Sequence, residues 1–295
     1  MGHNVLMKRL LLLPCLCLLL LFLLPGCAHA KPAPAYELFT QDDFTVIKTP
    51  AYNITPVTIR SPLCSDEIRN LGYYGINAGF FNTVYKTKPD DADFISVSIV
   101  WSKAAAASGA EVCEYSVRDP APGAPPYIPR GTLYLYEDAG KYVAGVISAE
   151  SCDDLRSQIG GDLDFVYMIG GGNFYLSEYP TIEDWDRWVA EKYQIEGPLV
   201  AETTKTDRSG IGIKNENGVW YAYLAVSGTN GQESRKTLQD LRVLFISLGC
   251  SDAIYLDGDG SSQMRCADSD GTVIEKPGDD RYIWAMVRLI NTANQ

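Results

Sequence analysis

Histidine is almost absent from this chain. There are 2 in 295 residues, His3 and His29, and both precede the part that reads as a folded body. A Ser-His-Asp or Cys-His relay is therefore excluded, and so is a histidine-ligated metal site. Proton transfer must fall to carboxylates, tyrosines, lysines or arginines. Basic runs are missing too. The net charge is −12, and a surface that acidic argues against nucleic acid and against adhesion to anionic lipid by charge alone. No CxxC spacing occurs, so zinc-ribbon and thioredoxin-like readings lack support. No GxGxxG or P-loop is present, which leaves little for nucleotide binding. There is no internal repeat and no clean linker.

Leucine is plentiful, and it is concentrated at the start. Lys8-Arg9 precedes a leucine-dominated run from Leu10 to Leu24, the pattern of an export signal. Leu24-Pro25-Gly26-Cys27 resembles a bacterial lipobox, in which Cys27 becomes the lipidated N-terminus, although Pro25 departs from the usual small or aliphatic residue. An uncleaved anchor helix ranks lower because Pro14 and Pro25 interrupt the run. The expected organisation is a leader over 1–27, a flexible tether over 28–40 and one domain over 41–293. Five cysteines lie in the body: Cys64, Cys113, Cys152, Cys250 and Cys266. Some are expected to pair outside the cytoplasm, and an odd number leaves at least one unpaired or bonded elsewhere.

Along the body, strands outnumber helices. Alternating or apolar runs predict strands at Phe44–Lys48, Ile54–Arg60, Tyr73–Ile76, Ala92–Trp101, Phe165–Ile169 and Tyr282–Leu289. Thr132–Tyr136 and Tyr142–Ile147 read as a hairpin, and Asn217-Gly218 is a type I′ turn signal joining two more strands. Helices are expected at Ser65–Leu71, Cys152–Gln158 and Thr181–Tyr193. Leu238, Leu241, Leu244, Phe245 and Leu248 recur at helical spacing, with Thr237 as the cap and Asp240 three residues on.

That last helix leads into Ala253–Leu256, a strand apolar on both faces, which stops at Asp257-Gly258-Asp259-Gly260-Ser261-Ser262. Small residues let a backbone turn sharply and approach a ligand closely. The stretch offers carboxylates, two hydroxyls and backbone N–H groups at the end of a buried strand, where sites are often built. It also reads as an ordinary polar turn. Asn77, after a buried strand and followed by Gly79, Phe80 and Phe81, can place its amide in a pocket or cap a turn. Gly170-Gly171-Gly172 can cradle a phosphate through backbone N–H groups. Asp257 and Asp259 alternate like the start of a calcium loop, but Ser262 stands where that loop needs glycine.

Four segments, in order, resemble the phosphodiester glycosidase family. Ile76–Phe81 (INAGFF) is similar to its N-G-G-F-F, and Asp207–Ile213 (DRSGIGI) to its R-T-A-I-G strand. Leu248–Met264 is similar to its L-D-G-G-G-S-S segment, and Asp279–Leu289 to its closing E-R strand. Ile169–Ser177 matches more loosely. Ala78 and Asp259 stand where the family has glycine.

The resemblance implies an exported hydrolase that cleaves a sugar from a glycosyl-1-phosphodiester such as that of N-acetylglucosamine. It implies Arg208 and Arg281 on phosphate, Asp257 as nucleophile, base or stabiliser, and Asn77 on sugar or phosphate. Gly79, Phe81, Gly171, Gly172, Gly228, Gly258, Asp259, Gly260, Ser261 and Ser262 complete the expected substrate contacts. No cofactor is expected; a divalent cation at Asp257 and Asp259, serving a phosphodiesterase, is the alternative. A surface lipoprotein that binds glycan without cleaving it is the non-enzymatic alternative. Elements and resemblance together give an α+β fold, a mixed, largely antiparallel twisted sheet core with flanking helices, in a single catalytic domain. The expected partners are a glycosyl phosphodiester or phosphoglycan and, through the N-terminal lipid, the membrane.

Overall fold

A computed structural model describes residues 35–83, 94–117, 127–196, 203–228 and 234–292. The leader, the candidate lipidation site Cys27, both histidines, and most of the proline-rich stretch 120–129 lie outside the described residues. No described helix is long and apolar enough to cross a membrane.

The strands in chain order are β1 (Glu37–Gln41), β2 (Phe44–Pro50), β3 (Ile54–Ser61), β4 (Gly75–Asn77), β5 (Phe81–Thr83) and β6 (Phe94–Ser96). There follow β7 (Val100–Ser102), β8 (Arg130–Asp138), β9 (Lys141–Ala149), β10 (Asp164–Gly170), β11 (Gly172–Asn173) and β12 (Ser209–Glu216). The last are β13 (Val219–Ser227), β14 (Asp252–Tyr255), β15 (Met264–Ala267), β16 (Val273–Lys276) and β17 (Ile283–Leu289). A six-stranded sheet has the order β1-β2-β13-β12-β14-β11, a five-stranded sheet β16-β15-β4-β17-β3, and a four-stranded sheet β7-β10-β8-β9. Strands β5 and β6 form a small ribbon. Every ladder between these strands is antiparallel. The largely antiparallel core expected from the sequence is thus found, with every described ladder antiparallel and no parallel pairing among them, and helices are few.

The turns explain the register. Asn217 and Gly218 have φ of 54° and 89°, the left-handed pair a type I′ hairpin requires. Ala139 and Gly140 take the same conformation, so β8 and β9 meet across two residues and extend beyond the expected five-residue gap. The single strand expected over Ala92–Trp101 is broken after Ser96. Its serines turn inward there: Ser96 Oγ donates to Ser98 O at 2.6 Å, and Ser98 Oγ accepts from Phe80 N at 3.0 Å. The break lets Ile99 O accept from Gly170 N at 2.7 Å.

The three large sheets share one core. Ile47, Ile211, Leu224 and Ile254 of the first meet Ile76, Met264 and Val287 of the second and Leu133, Tyr167 and Ile169 of the third. Helix Leu238–Ser247 closes the outer face of the first sheet. Its capping box is complete: Asp240 N donates to Thr237 Oγ1 at 3.0 Å and Thr237 N to Asp240 Oδ2 at 2.8 Å. Gly210 and Gly212 admit the helix; a Cβ on Gly212 would lie 2.5 Å from Phe245. Beside that helix, Phe174, Trp185, Trp188 and Tyr255 fill a second, aromatic-rich cluster.

The body begins earlier than the predicted tether end. Tyr36 is buried, and its hydroxyl donates to Ala267 O at 2.5 Å, so residues 36–40 belong to the domain. All five body cysteines are free, four of them buried. The expected pairing is not made among the described residues: Cys64, Cys152, Cys250 and Cys266 are buried as thiols, and Cys113 is half-buried with its thiol on the Tyr115 carbonyl.

Candidate functional site

The strand order gathers one end of the first two sheets. β14 and β12 are antiparallel neighbours, so the end of one lies beside the start of the other: Leu256 N donates to Ser209 O at 2.9 Å. β4 and β15 pair through Ile76 and Met264, which places Asn77 beside the segment that leaves the loop. Arg208, Asp257 and Asn77 therefore meet where strands end. Arg281 joins them from the segment ahead of β17.

The loop itself is a rigid turn. Asp259–Ser261 makes one turn of 3-10 helix, with Ser261 N bonded to Gly258 O at 3.1 Å and Ser262 N to Asp259 O at 3.0 Å. Asp259 N donates to Asp207 O at 2.8 Å and Gly258 N to the Asp257 carboxylate at 3.0 Å. The Gly260 N–H serves the Asp259 carboxylate. Every N–H from Gly258 to Ser262 is therefore occupied inside the protein, and the expected phosphate donors must come from side chains instead. Gly260 allows a close approach: a Cβ there would meet the Asp279 carboxylate at 2.2 Å.

Asp257 is half-buried, and burial pushes its carboxyl up to about 6. The Ser261 hydroxyl, the Arg281 guanidinium and the Gly258 N–H pull it down, and Asp259 pushes it slightly up. Arg281 is exposed, and its Nη1 reaches Ser261 Oγ at 3.4 Å. Its charge acts on both Asp257 and Asp259. This is a cation open to solvent, directly beside a perturbed carboxyl.

Arg208 lies at the site but underneath it. It is 2% exposed and gives its guanidinium to Thr204 O at 2.7 Å and Lys236 O at 3.2 Å. A Cβ on Gly258 would stand 3.8 Å from its Nη1, so the charge supports the loop from below. Asp207 is not its partner; Asp207 pairs with Lys276 and, at 3.5 Å, with Arg235.

Asn77 is saturated. Its Nδ2 donates to Asp257 O at 2.8 Å and Ala78 O at 3.2 Å, while its Oδ1 accepts from Ser209 Oγ at 2.7 Å and Gln263 N at 3.1 Å. The amide ties three segments together and has nothing left for a sugar.

Four expected glycine contacts are spent on packing. A Cβ on Gly79 would lie 2.1 Å from Gly170 O, on Gly171 2.4 Å from Tyr255 O, and on Gly172 1.8 Å from the Tyr255 ring. Gly228, at φ 76°, abuts the Asp207 carboxylate. The N–H groups of Gly170 and Gly171 bond Ile99 O and Gly131 O, so this run is no phosphate cradle. Phe81 is half-buried against two core clusters. Ser261 and Ser262 are fully buried, and Ser262 Oγ has no hydrogen-bond partner.

Asp259 has φ 55°, the left-handed conformation glycine adopts most freely and Asp tolerates. Its Oδ1 accepts from Thr206 Oγ1 at 2.7 Å, and that bond, ahead of Arg281 and Gly260, holds its carboxyl below the ordinary range. Among the described residues no group of three or more His, Cys, Asp or Glu is placed to hold a metal ion.

Sequence reasoning missed four participants: Thr206, Arg235, Gln263 and Lys276. Gln263 is fully buried; its Oε1 accepts from Leu63 N at 2.6 Å and its Nε2 donates to Arg281 O at 2.7 Å. A glutamine between the loop and an apolar strand was the one available signal. The others lie far along the chain and declare themselves only through contacts.

Residues 156–293 match the family model for phosphodiester glycosidase. They include the loop, both arginines and the closing strand. Over these residues the chain is similar to the phosphodiester glycosidase family. The match supports a glycosidase-type function, and the structure brings to the same loop the Asn77 segment, which lies outside the matched residues. In fold, the chain is similar to the catalytic domain of zebrafish N-acetylglucosamine-1-phosphodiester alpha-N-acetylglucosaminidase, with a TM-score of 0.53, 14% identity, and 87% of this chain and 81% of that one covered. A Burkholderia pseudomallei protein described as exported gives a TM-score of 0.49 at 10% identity, over 84% of this chain and 74% of that one. No curated protein matches the sequence.

Proposed function

We propose that this phosphodiester glycosidase domain hydrolyses the bond between a sugar C1 and a phosphodiester, acting outside the cytoplasm on an N-acetylglucosamine-1-phosphodiester or a phosphoglycan of the cell envelope. The observation that carries the reading is the pairing of the exposed Arg281 guanidinium with the buried-side Asp257 carboxyl across Ser261. A phosphate leaving group needs little protonation, so the chemistry needs charge held on the phosphate and support at an electron-poor C1. Arg281 holds the phosphate. Asp257, ionised above about 6, faces the reacting carbon. Arg208 adds positive charge beneath the loop, and Asn77 fixes the loop against β4 and β12. The leader, with lipidation at Cys27, accounts for export and anchoring.

The test is turnover of an N-acetylglucosamine-1-phosphodiester by purified protein and by Asp257→Asn and Arg281→Ala. Both variants are expected to lose at least about a hundredfold in kcat/KM while melting cooperatively. Full turnover in both would sink the assignment.

A further inference from the structure

Hydrolysis of a glycosyl phosphodiester changes the charge of the phosphate. The oxygen of water bonds to C1, and the C1–O bond to phosphate breaks with its electron pair staying on the phosphate oxygen. One water hydrogen remains on the new C1 hydroxyl. The other proton ends on the phosphate and is lost to solvent above a pKa of about 6. A singly charged diester enters and a doubly charged monoester must leave.

Asp259 is the residue at which this chain departs from the family segment it resembles, and its placement is specific. Its backbone is fixed by the N–H bond to Asp207 O at 2.8 Å, and its carboxylate by the Thr206 hydroxyl at 2.7 Å and the Gly260 N–H. These bonds hold the carboxylate at the site. Asp259 is exposed, whereas Asp257 is half-buried, so it faces the side from which a ligand arrives. Arg281, the exposed cation, interacts with both carboxylates. Any phosphate seated on Arg281 is also in the field of Asp259. Apart from the Gly260 N–H on Asp259 itself, the loop N–H groups are bonded elsewhere in the protein and are not free to meet the phosphate. Arg235 also faces Asp259, but it is shared with Asp207 at 3.5 Å.

We propose that Asp259 is a charge filter at this site: its fixed carboxylate beside Arg281 tolerates the singly charged diester and weakens retention of the doubly charged monoester product. The inference rests on the reaction proposed above and concerns substrate and product selectivity. One additional negative charge a few ångströms from a fixed carboxylate near a protein surface is disfavoured by about tenfold in binding. The filter limits product inhibition and turns away sugar phosphates that are already monoesters.

The experiment compares the wild-type chain with Asp259→Asn and Asp259→Gly. Asn tolerates the left-handed backbone and can still accept the Thr206 hydroxyl, so it removes charge and keeps the bond. Gly removes both. Calorimetric titrations use phenyl phosphate as the dianion and methyl phenyl phosphate as the monoanion, at pH 7.5 and low salt. The ratio of the two dissociation constants is expected to move about tenfold toward the dianion in both variants. Release of N-acetylglucosamine from its phenyl phosphodiester is followed separately, with phenyl phosphate as inhibitor, and its inhibition constant is expected to fall in parallel. A ratio unchanged in Asp259→Asn overturns the filter, even if Asp259→Gly loses activity through the lost bond. Failure of methyl phenyl phosphate to bind the wild-type chain, or of phenyl phosphate to bind either variant, overturns it as well. Sugar release that never occurs, alongside a shifted ratio, refutes the reaction and leaves the charge preference standing.

Discussion

Replacing Arg281 by Gln should change two quantities, and the second is diagnostic. The guanidinium lies 3.4 Å from Ser261 Oγ and lowers the Asp257 carboxyl against the burial that raises it to about 6. Removing the charge removes one of the influences favouring the ionised form. The Asp257 pKa must therefore rise, by about one unit if the pair behaves as an ordinary carboxylate–arginine contact. If turnover needs the carboxylate ionised, wild-type kcat/KM is flat in weak alkali and falls tenfold per pH unit below about 6. In Arg281→Gln that limb moves up by about one unit, while the plateau drops by about a hundredfold for the lost phosphate contact. Stability responds in the same sense. A carboxyl whose folded pKa lies above its unfolded one stabilises in acid, and that contribution fades as pH rises through the folded value. The variant should thus lose more melting temperature relative to wild type at pH 8 than at pH 5. The assay is sugar release from a phenyl glycosyl phosphodiester between pH 4 and 9, with melting curves in the same buffers. A limb that stays in place while the plateau drops would show that Arg281 does not act on Asp257. A limb on the alkaline side would make Asp257 a proton donor and refute the assigned role.

Three further outcomes follow from packing. Asn77→Ala removes an amide with four partners and strands Ser209 Oγ, Gln263 N and Asp257 O; denaturant titration should show a loss of about 3 kcal/mol, and unchanged stability would discount the clasp. Gly79→Ala drives a Cβ to 2.1 Å from the Gly170 carbonyl; a loss of at least about 2 kcal/mol is expected, and a wild-type melt would place that contact in doubt. Burial pushes the Cys64, Cys152, Cys250 and Cys266 thiols up to about 12, and no pair among the described cysteines is bonded. Reductant should therefore leave the melting temperature unchanged, and a shift of several degrees would reveal a bridge.

Local features of the fold were legible where a single physical cause governs them. Asn-Gly at 217–218, the Thr237 capping box and the doubly apolar β14 all appear where their patterns place them, because each depends on neighbours in sequence. Ala139 shows the limit. Nothing in its chemistry predicts a φ of 49°; the register of β8 against β9 imposes it. The glycines at 79, 171 and 172 show the same limit. A glycine that makes room for a ligand and one that makes room for a distant carbonyl or ring look alike in sequence. The structure assigns these three to Gly170 and Tyr255.

The site residues divide along the same line. Asp257 and Arg281 were picked from sequence by residue type, and the structure places both at the loop, with the Arg281 charge acting on the Asp257 carboxyl. Arg208 and Asn77 were picked for the same reason, yet neighbours that no local pattern names take up their polar groups: Thr204 and Lys236 for one, Ser209 and Gln263 for the other. That use has a chemical consequence. A loop whose own N–H groups and supporting amide are all bonded internally cannot rearrange to meet a phosphate without first breaking those bonds. In the proposed reaction, recognition then depends on few side chains, chiefly Arg281, set on a scaffold that is already in place. Such a scaffold loses little entropy on binding. It also leaves no loop N–H free, so Asp259, standing where the resembled segment has glycine, adds a charge met within the protein by the Thr206 hydroxyl and the Gly260 N–H.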